Sequence, residues 1–172
     1  MTILAKLLIR VVAALALAAP AAALHAQGAG LPPHPGIPAA ATVAAHDDDC
    51  IAATTARGVD VAALRDRGWT GSEARDNHGN VPFVMFSRAG DLTVMSAWNG
   101  DIHQCIVMSP VGEAAGIEAI RQALDGSLTV ERSVDEDAET VWMTPTHHVI
   151  ATPLGDGQVQ GLKVVVTSLE RP

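Results

Sequence analysis

The chain of 172 residues carries 11 Lys and Arg against 19 Asp and Glu, a formal net charge of −8, and only 3% of it is aromatic. Such acidity does not attract a phosphate backbone or an anionic lipid surface, so nucleic-acid binding and docking on a membrane by charge are not expected. The length suits one domain once any targeting segment is set aside.

The first twenty-six residues have the layout of a secretory signal peptide. Lys6 and Arg10 precede the apolar run Val11 to Ala19, and small residues follow Pro20. That run is well short of the roughly 20 apolar residues of a membrane-spanning helix, so no stable insertion is expected after cleavage. With Leu24 and Ala26 at the positions the peptidase reads, the mature chain begins at Gln27 or two or three residues earlier. No cysteine follows the apolar run to take a lipid anchor. Loss of Lys6 and Arg10 leaves 9 basic residues against 19 acids, a net charge of −10. Lysine is scarce beside arginine and alanine is abundant, as in a GC-rich bacterial genome. The expected location is therefore periplasmic or secreted.

Residues 27–45 are rich in Gly, Pro and Ala, with Leu31, Pro32, Pro33, His34 and Pro35 in succession. They read as a mobile leader, because this proline density suits neither a helix nor a central strand. A single α+β domain is expected over 46–172. Asp47, Asp48 and Asp49 precede the Ala-rich stretch Cys50 to Arg57, and carboxylates favour a helix N-terminus, so a first helix is expected there. Gly58 interrupts it, and Asp60 caps a second short helix over Val61 to Arg67.

Trp69 to Asn80 reads as a loop or short edge strand. Phe83 to Arg88, Leu92 to Trp98 and Ile102 to Met108 are apolar runs of strand length, separated by turn residues that include Asn99-Gly100, and predict an antiparallel meander. Ser109 and Pro110 resemble the start of a helix with Glu113 in its first turn. Ile117, Ile120 and Leu124 then share one helical face before Asp125-Gly126. Further strands are expected over Leu128 to Arg132, Glu139 to Met143, His147 to Thr152 and Leu162 to Leu169, with a turn at Gly155-Asp156-Gly157. The fold class is α+β: antiparallel sheet with two helical segments, and an element order that suggests a duplicated helix-plus-meander unit.

Cys50 and Cys105 are the two cysteines. An even pair far apart in sequence, in an oxidising compartment, predicts one disulfide joining the first helix to the meander. Met85, Met95 and Met108, one per strand, read as core fillers rather than metal ligands.

The six mature histidines, His34, His46, His78, His103, His147 and His148, form neither His-x-His nor His-Glu-x-x-His spacing. Asp76-Asn77-His78-Gly79-Asn80 lacks the acids of an EF-hand and reads as a turn, and Asp135, Glu136 and Asp137 read as an exposed charge run. Nucleophile elbows, phosphate loops and dinucleotide fingerprints are absent from the sequence. No catalytic residue, metal ligand or cofactor is therefore expected.

The favoured expectation is a small non-catalytic binding or interaction protein whose partner is another envelope protein or a small ligand. Its surface would include Trp98 and His103 near a hairpin tip. The alternative is a small hydrolase-like enzyme with a His and carboxylate site assembled by the fold, for example around His103.

Overall fold

A computed structural model describes residues 36–100, 102–112, 114–134, 139–155 and 160–170. The expected signal peptide, its cut at Gln27 and the leader as far as Pro35 lie outside these residues, as do Glu113, the acids Asp135 to Asp137 and the Asp156-Gly157 part of the expected turn.

Order begins earlier than His46. Helix α1 spans Ala40–Ala53 and already buries Val43 and Ala44. Pro38 is the last proline before it, and the segment beyond is dominated by alanine, the strongest helix former. The acids expected to start this helix stand in its middle, and Asp47 is fully buried. The helix also ends sooner than Arg57. Thr54–Thr55 (β1) and Gly58–Val59 (β2) form a two-stranded hairpin instead. Gly58 has φ +121°, and a Cβ there would stand 2.6 Å from Asn99 Oδ1. That approach lets the Asn99 side chain accept from Val59 N at 2.6 Å and donate to Val59 O at 3.0 Å, clipping the hairpin to the sheet. Helix α2, Val61–Asp66, is capped by Asp60, whose carboxylate accepts from Ala63 N at 3.0 Å.

The main sheet has eight antiparallel strands: β3 (Thr70–Ala74), β4 (Phe83–Ser87), β5 (Val94–Asn99), β6 (His103–Pro110), β7 (Arg132–Val134), β8 (Thr140–Met143), β9 (His147–Leu154) and β10 (Gly161–Ser168). Their order is β3-β4-β5-β6-β10-β9-β8-β7. Each half is a four-strand meander introduced by a helix, with α1 and the small α2 before β3 and α3 (Ala114–Leu128) before β7. The halves meet where β6 pairs with β10. The helix-plus-meander order thus occurs twice, with four strands in each half, and the described residues form three helices.

Two further boundaries differ from expectation. Ser109 and Pro110 close β6 rather than open a helix, because Pro110 pairs with Gly161 and the Ser109 hydroxyl bonds that of Thr93 at 3.0 Å. Helix α3 also runs through Gly126 to Leu128, so Leu128 is not part of a strand.

One face of the sheet carries the helices. It presents Phe86, Met95, Cys105, Val107, Val164 and Val149, all essentially inaccessible to solvent. Ile117, Ile120 and Leu124 of α3 are buried in the same core, and Trp142 donates its indole N–H to Asp125 of α3 at 2.8 Å. Helix α1 packs on α3 and β6, and the disulfide between Cys50 and Cys105 joins α1 to β6 with a Cα separation of 5.7 Å, inside the usual range. No helix among the described residues is long and apolar enough to cross a membrane.

Candidate binding surface

A sheet with one face in water normally alternates apolar and polar residues, whereas continuous apolar runs belong to strands covered on both sides. Three central strands break the alternation. Phe83-Val84-Met85-Phe86 in β4, Ile106-Val107-Met108 in β6 and Val164-Val165-Val166 in β10 are apolar at every position. Alternate residues of each run face the helices, and those between them face away.

The strand register assembles these outward side chains into rows. Met85, Ser96, Ile106, Val165, Ile150 and Val141 lie side by side across β4, β5, β6, β10, β9 and β8. At about 4.8 Å per strand this row is about 24 Å wide. It is apolar except for Ser96, and it ends in Ser72 on β3 and Ser133 on β7. Polar edge strands therefore bound an apolar middle, the arrangement of a binding patch with a polar rim.

The neighbouring row runs Phe83, Trp98, Gln104, Thr167, His148, Met143. Phe83 and Trp98 stack with centroids 4.5 Å apart, and the indole N–H is held by Ser96 Oγ at 3.1 Å. The pair is thus a preset aromatic block. On the other side, Val94 and Met108 precede Lys163. Among large side chains on this face, Met85 is 42%, Met108 38% and Met143 57% exposed, against 0% for Met95 in the core. The expectation that all three methionines Met85, Met95 and Met108 fill the core therefore holds for Met95 alone.

At one end the face dips into an open groove of about 470 Å³, lined by Met85, Leu92, Val94, Met108, Pro110 and Leu154 among others. That volume lies within the range of small-ligand sites.

Trp98 belongs to this outward face, partly exposed. His103 belongs to the opposite one, with its ring beside Gly58 of the β1–β2 turn. The two residues are near in sequence but face away from each other, so no single surface contains both.

The principal polar cluster lies under α1. Asp49 accepts from the Trp69 indole N–H at 3.0 Å, from Arg67 at 3.1 Å and from Arg88 at 3.2 Å, while the Arg88 guanidinium lies 4.5 Å from the Trp69 ring centroid. His46 meets the Trp69 ring edge-on and places Nε2 3.3 Å from Asp91. Burial pulls the His46 pKa down, with the Asp91 carboxylate opposing. Each of these contacts ties α1, α2 and the loops around β4 together, so the cluster is a clamp. Asp76 folds its own turn by accepting from the backbone of His78 and Asn80, both at 2.8 Å. Among the described residues no three His, Cys, Asp or Glu side chains stand close enough to hold a metal ion.

No family model, curated protein or solved structure matches this chain.

Proposed function

We propose that this is a non-catalytic binding protein of the periplasm or extracellular space, and that it engages its partner through the uncovered face of the eight-stranded sheet. The observation that carries this reading is the row from Met85 to Val141, apolar at five of its six positions with Ser96 the exception, and closed by serines at both edges. A face left to water gains nothing from Ile106, Val165 and Ile150, whereas a covered face gains about 25 cal/mol for each Å² of apolar surface removed from solvent. The disulfide and the signal-like N-terminus support an oxidising compartment. The partner is an apolar small ligand or an apolar patch on another envelope protein.

Replacing Ile106 or Val165 by Asp places a carboxylate in the middle of the row and leaves the helix-covered core intact. An environment-sensitive apolar dye should bind the native chain saturably and lose about tenfold or more in affinity in either variant, at a melting temperature within a few degrees of native. Unchanged dye affinity in folded variants would remove the face from consideration.

A further inference from the structure

The outward face has two unlike flanks on either side of its central row. Phe83 and Trp98 stand on one flank, in the row that Gln104 continues on β6. The stacked rings are fixed before any encounter, because Ser96 Oγ holds the indole N–H at 3.1 Å. On the other flank Val94 and Met108 open the groove, and Pro110 and Leu154 continue it. One flank therefore carries an aromatic block and the other a recess. A two-fold rotation about an axis along the central row lays each flank of one copy on the opposite flank of a second. Trp98 then faces Val94 at the groove, Gln104 faces Met108, and each residue of the central row meets its own counterpart. The same rotation sets Lys163 opposite Thr167, so the two ammonium groups stand apart.

Charge and area favour a second copy as the occupant. The chain has a net charge of −8, so most approaches between copies set acid against acid. Among the described residues, no Asp or Glu stands at an outward position of β3 to β10, and Lys163 is the one Lys or Arg there. At about 4.8 Å per strand the sheet is about 34 Å across, and the outward positions Gln104 to Pro110 of β6 span about 20 Å. The face thus measures about 700 Å² in plan, close to the roughly 800 Å² per partner of a standard stable interface. We propose that two copies of this chain pair face to face through their outward sheets, with the Phe83-Trp98 block of each closing the groove of the other. The inference rests on the outward face being a binding surface, and it makes the second copy the occupant that an apolar ligand must displace. Two twisted sheets packed this way form the aligned sandwich common in all-β cores. Because the aromatic block is already held in place, little side-chain freedom is lost on pairing.

The test uses the full chain with its disulfide closed. Sedimentation equilibrium at high micromolar concentration should give twice the mass of the chain, falling to one on dilution. Ile106→Asp sets two carboxylates against each other on the axis and should weaken association about a hundredfold or more. Trp98→Ala, which leaves the central row intact, should weaken it about tenfold, with the circular dichroism of the native fold retained. Met85 and Val141 stand at opposite ends of the row, so Met85→Cys and Val141→Cys should each cross-link to its own counterpart through a short bismaleimide. The apparent affinity for an apolar dye should fall as chain concentration rises, because dye and second copy compete. A chain that stays monomeric at high micromolar concentration would overturn the proposal; if it still binds dye through the row, the outward face remains a binding surface, and if it binds none, that reading falls as well. Undiminished association in folded Ile106→Asp and Trp98→Ala chains would place the contact elsewhere. Cross-links found only between Met85→Cys and Val141→Cys chains in a mixture would show a different axis, and either result overturns the proposal.

Discussion

Asp47 is the residue whose chemistry departs furthest from its surroundings. It is fully buried in α1, both carboxyl oxygens lack a hydrogen-bond partner, and burial together with the neighbouring Asp48 raises its pKa well above the ordinary 3.8. The folded chain therefore holds this carboxyl protonated, whereas the unfolded chain releases the proton once pH exceeds about 4. Between those two pKa values the folded state binds more protons, so Asp47 makes stability fall as pH rises. His46 acts with the opposite sign: its lowered pKa means that the unfolded state takes up a proton first as pH drops below 6.5, and stability falls with pH. Asp47→Asn removes the first linkage alone. Denaturant unfolding should find the stability of the variant relative to native rising as pH is raised from about 4 to 7, because only the native chain loses stability as the unfolded state releases this proton. A difference independent of pH would show that Asp47 ionises without cost.

At the scale of elements, most strands and the Asp60-capped α2 were legible from sequence, whereas the boundaries of α1 and α3 were not. Runs such as Phe83 to Phe86 and Ile102 to Met108 are local signals, and β4 and β6 occupy them. Three consecutive acids look like the start of a helix, yet α1 begins at Ala40, because Val43 and Ala44 find a core that no local pattern announces. Ser109-Pro110 likewise has the local form of a cap, but pairing with β10 outweighs it. The spacing of Cys50 and Cys105 predicted the bridge, and α1 and β6 present the two residues to each other. With a sequence separation of 55 between its ends, this link should stabilise the fold by restricting the unfolded chain. Replacing both cysteines by serine should lower stability by about 2 to 4 kcal/mol, read from the urea midpoint, with the circular dichroism of the native fold retained. A loss below about 0.5 kcal/mol would mean that packing between α1 and β6 suffices alone.

For the whole molecule, the decisive feature is that one sheet face is covered by helices and the other carries an apolar central row. The sequence carried the signal for this in the failure of alternation along β4, β6 and β10. Which positions face outward depends on register, however, and register was beyond reach without the pairing of β6 with β10 across more than fifty residues. Trp98 fell on the outward face and His103 behind it, because adjacent strands joined by a tight turn place the two on opposite sides. Methyl nuclear magnetic resonance during titration with an apolar dye tests the central claim most directly. The methyl groups of Ile106, Val141, Ile150 and Val165 should shift saturably, while those of Val107, Val149 and Val164 on the helix-covered face stay in place. Shifts confined to the covered face, or absent from the row, would contradict a binding role for the open sheet.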